Sequence, residues 1–373
     1  MKKKVLSIFG TRPEAIKMAP VIRELERYPD IFESVVCVTA QHRQMLDQFL
    51  DLFNIDPDID LDLMEENQSL DSFSAKALKT LTKAIGEINP DLVLVQGDTT
   101  TAMIAALASF YLKIPVGHIE AGLRTGNKYN PFPEEINRNI IGVLAAYHFA
   151  PTQSAGKALM DEGIDESCIT VTGNTVVDAL NMILEGIEGQ KNITDDIVRS
   201  GCRMILVTSH RRENIGKPLE NICEALKEIV EAYPDVEIVY PVHLNPDVQD
   251  TVNGKLKGWE RINLIEPVEY LDLIQLLRKA YIVLTDSGGI QEEAPVLGKP
   301  VLVLRRETER PEGIEAGVAK IVGTEKDDIV REAGLLLNDD QEYEKMAQSV
   351  SPYGDGTAAE KIIAVLKKIV ARE

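Results

Sequence analysis

No stretch of this sequence stays apolar for long: the runs at 101–112 and 282–285 fall short of the roughly 20 residues a membrane span requires. Cysteine is scarce too. The four present (Cys37, Cys168, Cys202 and Cys223) stand far apart with no CxxC spacing, which points to buried free thiols and away from a disulfide framework or zinc. Although Lys2, Lys3 and Lys4 could open a signal peptide, residues 5–10 run straight into Thr11-Arg12-Pro13-Glu14 with no h-region. A cytoplasmic chain is expected. Basic residues are outnumbered, 40 against 60 acidic, and a net charge of −20 argues against nucleic-acid and anionic-membrane partners. An anionic small molecule would need a local basic pocket. No GxGxxG follows a candidate strand, and GxxxxGK[ST], HExxH and clustered His/Cys are all absent, so neither a dinucleotide cofactor, a P-loop nor a metal site is expected.

What is present is alternation. Short β-branched runs at 5–9, 35–39, 92–95, 116–119, 148–150 and 169–171 are followed by a second set at 204–208, 237–242, 262–265, 282–285, 301–304 and 320–322. Helical patterns separate them, for example at 14–27, 80–88, 219–232 and 271–280. This pattern predicts an α/β chain with two Rossmann-like, doubly wound parallel sheets. At 373 residues the chain is long enough for two such domains. The seam is placed in 173–203, giving domains at 1–172 and 173–355, and the turn at 351–356 precedes an amphipathic stretch at 358–370 that can pack away from its own domain.

In open α/β sheets ligands bind outside the carboxyl ends of the strands. Gly10-Thr11-Arg12, Gly97-Asp98-Thr99 and Glu120-Ala121-Gly122 each follow a strand of the first set. Ser209-His210-Arg211-Arg212-Glu213 and Asp286-Ser287-Gly288-Gly289 follow strands of the second. Any one is ordinary turn chemistry; five on the same edge suggest two rims facing one cleft. Arg12 and Lys17 sit in the first turns of a helix whose free N–H groups attract phosphate. Gly288 and Gly289 remove side chains where backbone must approach a diphosphate, and Glu293, one turn on, can accept both hydroxyls of a ribose. Glu292 is read as its solvent-side neighbour. His210 beside Arg211 and Arg212 marks the basic pocket that an anionic ligand demands. Asp98, Glu120 and Glu134 can serve acid/base chemistry, while Glu134 with Arg138 also reads as an i,i+4 ion pair worth only about 0.3 kcal/mol.

Together these clusters resemble the non-hydrolysing UDP-N-acetylglucosamine 2-epimerases. The resemblance is carried by FGTRPEAIKMAP at 9–20, QGDTTT at 96–101, HIEAGLR at 118–124, PFPEEINR at 131–138, HRREN at 210–214 and TDSGGIQEEAPVLGKPVLV at 285–303, in that order, and ERPEG at 309–313 also fits. It implies the GT-B fold, a homodimer, a last helix (356–373) packed on the first domain, and no cofactor. It also implies interconversion of UDP-GlcNAc and UDP-ManNAc through anti elimination of UDP to 2-acetamidoglucal and syn re-addition. Matched by motif, Asp98, Glu120 and Glu134 are the acid/base candidates and His210 stabilises the leaving diphosphate. Arg12, Lys17, Arg138, Ser287, Gly288, Gly289 and Glu293 hold the UDP-sugar. Gln41, His42, Gln44, Gln68, Arg211 and His243 match a second, activating UDP-GlcNAc site, from which Asn67 departs where arginine is usual. The rivals are a GT-B glycosyltransferase, a hydrolysing epimerase and a UDP-sugar sensor. A transferase with a lipid acceptor calls for an exposed apolar face, and the sequence suggests none.

Overall fold

The computed structural model describes residues 2–39, 43–65, 68–186, 193–348 and 350–371. Its first half runs β1 (Lys3–Phe9), α1 (Arg12–Glu26), β2 (Phe32–Val38), α2 (Arg43–Leu52), β3 (Ile59–Asp60), α3 (Leu70–Ile88), β4 (Leu92–Gln96), α4 (Thr100–Tyr111), β5 (Val116–Ile119), α5 (Glu134–Leu144), β6 (Tyr147–Ala150), α6 (Gln153–Asp161) and β7 (Ile169–Val171). After α7 (Thr175–Gly186) come β8 (Arg203–Thr208), α8 (Lys217–Ala232), β9 (Val236–Pro241), α9 (Pro246–Leu256), β10 (Ile262–Ile265), α10 (Tyr270–Lys279), β11 (Ile282–Thr285), α11 (Gly288–Val296), β12 (Val301–Val303), α12 (Pro311–Glu315), β13 (Ala319–Ile321), α13 (Lys326–Asn338), α14 (Asp340–Ala347) and α15 (Ala358–Val370).

The strands form two all-parallel sheets, ordered β3-β2-β1-β4-β5-β6-β7 and β10-β9-β8-β11-β12-β13. Central strands of such sheets are covered on both faces, and every residue of β4 and of β11 is buried, apolar but for Gln96 and Thr285 at their carboxyl ends. One strand, the two-residue β3 at the sheet edge, has no counterpart among the sequence expectations, because Ile59-Asp60 is too short to carry a β-branched run. Cys37 and Cys223 are buried thiols, pushed up to about 12 by desolvation. Cys168 and Cys202 are only half-buried, which corrects the expectation for those two.

The chain divides into two compact units, Met1–Met182 with Tyr353–Glu373, and Ile183–Pro352. The first unit continues through most of α7 to Met182, a point inside the 173–203 stretch but beyond the domain bound placed at 172. Val176, Val177, Ala179 and Leu180 bury the inner face of that helix, and the Asp178 carboxylate accepts the N–H groups of Ala358 and Ala359 at the start of α15. α15 in turn lies against α1, with the Lys367 ammonium 3.0 Å from the centre of the Tyr28 ring.

Each sheet reverses its winding at one point, between β1 and β4 in the first unit and between β8 and β11 in the second. Such switch points leave a crevice at the strands' carboxyl ends. The loops singled out in the sequence follow these strands and β5.

Candidate active site

In the first unit the turn after β1 is set by close packing. A Cβ on Gly10 would lie 2.1 Å from the Thr39 Oγ1 and 2.9 Å from that of Thr101, so only glycine passes here. Glu14, fully buried in the first turn of α1, accepts the N–H groups of Gly10 (3.0 Å) and Thr11 (2.8 Å) and the hydroxyl of Thr99 (2.7 Å). Burial pushes its carboxyl up from the ordinary value, and these hydrogen bonds work against that. Glu14 thus ties the loop bearing Arg12 to the loop bearing Asp98. The sequence reading assigned it no role, though the T-x-x-E spacing of Thr11 and Glu14 is a capping-box signal. Arg12 itself is exposed, its guanidinium 5.8 Å from the centre of the Phe49 ring.

Asp98 is fixed from two further sides. Its backbone carbonyl accepts the Asn137 amide at 2.9 Å, and its carboxylate pairs with Arg138. Arg138 also reaches Glu135 at 3.2 Å, so the guanidinium bridges Asp98 and Glu135. Glu134 stands at the N-terminus of α5, half-buried. Preceding Asp98, the Gly97 carbonyl is 2.7 Å from the His118 Nε2. Burial pushes that imidazole down to about 3, so it is neutral and donates this bond.

Glu120 carries the densest arrangement. It follows β5 at φ 63°, a left-handed conformation uncommon for a side chain of this kind. Lys17 from α1 and Asn174 from the segment before α7 donate to its Oε1, and Gln96 at the end of β4 donates to its Oε2. Both oxygens act as acceptors, as in an ionised carboxylate. Lys17 is therefore placed on Glu120, buried, and its side chain is only 11% exposed.

In the second unit, Asp286 organises the corresponding turn. This residue, 0% exposed, follows β11 and accepts the Ser209 hydroxyl (2.9 Å), the N–H groups of His210 and Arg211 (both 3.0 Å) and the Asn214 amide (2.8 Å). The His210 Nδ1 lies 3.2 Å from it. The β8–β11 register, which pairs Thr208 with Thr285, makes this possible by bringing both loops to the same end of adjacent strands. Asp286 was part of a recognised motif, yet its role as hub was not read.

Ser287 stands at the N-cap position of α11 without a side-chain cap bond, and Gly288 opens the helix, whose first N–H groups are the donors an anion would meet. A Cβ on Gly288 would stand 3.9 Å from one guanidinium nitrogen each of Arg211 and Arg310 and from a carboxylate oxygen of Glu309. Two cations thus stand beside the glycine helix start, each held by a carboxylate, Arg211 by Glu309 and Arg310 by Glu292, so the positive groups expected for an anionic ligand are present but not unopposed. Arg310 lies in the 309–313 segment that fits the resemblance, but no role was assigned to it there. It pairs with Glu292, which is 1% exposed and not on the solvent side as expected, because the first-turn carboxylate is needed to hold that arginine. Glu293, also buried, accepts the Tyr270 hydroxyl at 2.8 Å.

The residues matched to an activating site are scattered in what they show. Gln41, His42 and the departing Asn67 lie outside the described residues, as does the side chain of Gln44. Gln68 precedes α3 and accepts the Glu65 N–H. In the second unit Arg211 sits by Gly288 and Glu309, and the His243 ring stacks on that of His210 at 5.8 Å.

A family model described as UDP-N-acetylglucosamine 2-epimerase matches residues 23–367. The UDP-N-acetylglucosamine 2-epimerase of Bacillus subtilis (strain 168) is 53% identical over 367 residues, covering 98% of this chain and 96% of that protein. The enzyme of the same name from Escherichia coli (strain K12) is 50% identical over 370 residues, covering 98% of each. The crystal structure of UDP-GlcNAc 2-epimerase from Neisseria meningitidis bound to UDP-GlcNAc is similar with a TM-score of 0.91 at 49% identity, covering 98% of this chain and 100% of that one. Two Rossmann-like units with the loops described above, matched over nearly the whole length, show that this chain belongs to the UDP-N-acetylglucosamine 2-epimerase family.

Proposed function

We propose that the chain is a non-hydrolysing UDP-N-acetylglucosamine 2-epimerase that interconverts UDP-GlcNAc and UDP-ManNAc. The observation that carries this reading is the pair of engaged carboxylates Asp98 and Glu120, in loops after adjacent strands, each paired with a cation. The proton on C2 of the sugar is too weakly acidic to be removed alone. As the C1–O bond to UDP breaks, C1 gains oxocarbenium character and C2 becomes acidic. One carboxylate takes the C2 proton, UDP departs with the bonding pair, and 2-acetamidoglucal remains. Proton return to the opposite face of C2 and re-addition of UDP to C1 complete the inversion. Asp98, Glu120 and Glu134 are the acid/base groups on this reading, a role that requires hydrogen-bond reach of the C2 proton. In the second unit His210 and the Ser287-Gly288-Gly289 turn stabilise the diphosphate before and after it leaves, with Arg211 and Arg310 added from their place beside Gly288, while Arg12 in the first unit is a phosphate-binding group by motif. Glu293 takes the ribose.

Incubation with UDP-GlcNAc alone in deuterated water tests this. The expected result is deuterium at C2 and two UDP-sugars, with little free UDP and no NAD requirement. Accumulating free ManNAc identifies a hydrolysing enzyme, and absence of exchange a transferase or a sensor.

Contrary to the expectation of no exposed apolar face, α5 presents Ile136, Ile140 and Val143, spaced i, i+4, i+7, all exposed. Beside it α4 ends in exposed Phe110 and Tyr111. A lipid acceptor would suit a transferase; we assign the face to a second copy of this chain, as the family resemblance implies. Sedimentation of the wild type as a dimer and of Ile140→Glu as a monomer is expected; unchanged mass in the variant removes this assignment.

A further inference from the structure

Of the three side chains that donate to Glu120 among the described residues, one comes from α1 and one from β4, the strand beside β5. The third comes from a different region. Asn174 follows β7, which lies two positions beyond β5 in the sheet, and its Nδ2 reaches the Glu120 Oε1 at 3.1 Å. It is 3% exposed. Its Oδ1 accepts the Val176 N–H at 3.0 Å, capping the start of α7, and its own N–H donates to the Tyr353 carbonyl at 2.7 Å. The cap settles which end of the amide faces which way, since a flipped side chain would set its oxygen against the Glu120 carboxylate.

The backbone under Asn174 is equally constrained. Gly173 (φ 92°) and Gly354 (φ 113°) pack so closely that a Cβ on Gly354 would lie 3.1 Å from the Gly173 Cα. A Cβ on Gly173 would in turn meet the Tyr353 carbonyl oxygen at 3.3 Å. The segment that leads out of the first unit and the one that re-enters it are thus held in direct backbone contact. Asn174 carries that fixed point to the carboxylate.

We propose that Asn174 is a positioning residue for Glu120, its amide holding the oxygen shared with Lys17 so that the carboxylate meets the sugar in a single orientation. The inference rests on the reading of Glu120 as an acid/base group. The groups set against that carboxylate are the Lys17 ammonium from α1, the neutral Gln96 amide from β4 and the neutral Asn174 amide. Replacing the last with an acceptor opposes the arrangement without altering its size.

Asn174→Asp is the discriminating variant, because aspartate still caps α7 but presents oxygen to Glu120. The expected result is a fall in kcat of between about 10- and 100-fold, the scale of a misplaced catalytic group, with KM and UDP affinity within about threefold of wild type. Asn174→Ser, which also keeps a cap acceptor and loses the amide donor, is read in the same way if the aspartate variant does not fold. A purely structural cap predicts wild-type kcat for both, and that outcome overturns the proposal, as does a loss of turnover matched by a loss of UDP binding. Glu120→Gln, measured alongside, separates the two layers. Should it turn over normally, the assignment of Glu120 fails; should it be inactive while Asn174→Asp behaves as wild type, only the positioning role fails.

Discussion

Glu120→Gln is expected to lower kcat for epimerisation by about 10²- to 10⁴-fold, the usual contribution of a general acid or base, while UDP affinity stays within about threefold. The substitution keeps the size of the side chain and removes its charge and its ability to take a proton. Its cost to the fold is separable. With the side chains of Lys17 and Glu120 only 11% and 9% exposed, removing one partner leaves a buried ammonium without its counter-charge. Breaking a buried pair in this way costs about 3–5 kcal/mol, less if the lysine can shed its proton. The double variant Lys17→Met/Glu120→Gln removes both charges and is expected to regain most of that stability without regaining turnover. Turnover within tenfold of wild type in the single variant would take Glu120 out of the chemistry. Collapse of UDP binding in both variants would make its role structural.

The same residue shows how far sequence can carry such a reading. The strands were legible because parallel strands covered on both faces are near-continuous β-branched and aliphatic runs, and Val116–Ile119, Ile169–Val171, Ile262–Ile265 and Ile282–Thr285 stand at the expected bounds. Loops at the switch points were legible because glycine, histidine and paired charges after a strand are unusual, and Gly288-Gly289 with His210 is an example. What connects those loops was not. Glu14 and Asp286 are buried carboxylates that accept backbone N–H groups together with side-chain donors, and a carboxylate in a turn reads as a solvated one. Partners distant in sequence hid the rest. Arg138 looked like a helix-face partner for Glu134, whereas its firmest carboxylate comes from the Asp98 loop. Likewise Asn174 lies 54 residues from Glu120, and no local spacing relates them. Glu292 looked like a dipole residue facing solvent until Arg310, beyond β12, was seen to fold back on it.

Asp286→Ala should have the largest effect in the second unit. Four donors converge on this carboxylate at 2.8–3.0 Å, from Ser209, His210, Arg211 and Asn214. With alanine they face a void, at 0% exposure, where water cannot readily replace the lost acceptor. An unsatisfied buried donor costs about 1–3 kcal/mol, and because the loop at 209–214 can relax outward, a total of about 3–5 kcal/mol is expected in urea unfolding of this unit. Binding should suffer in parallel, since the loop carries His210 and Arg211 and the turn after Asp286 carries Ser287 and Gly288. Loss of a fixed geometry at the diphosphate predicts at least a 100-fold drop in UDP affinity by calorimetry, about 2.7 kcal/mol. Asp286→Asn keeps one acceptor oxygen and should fall between the two. If Asp286→Ala binds UDP like wild type, the hub does not set the phosphate site, and the cations beside Gly288 hold their positions through partners such as Glu292 and Glu309.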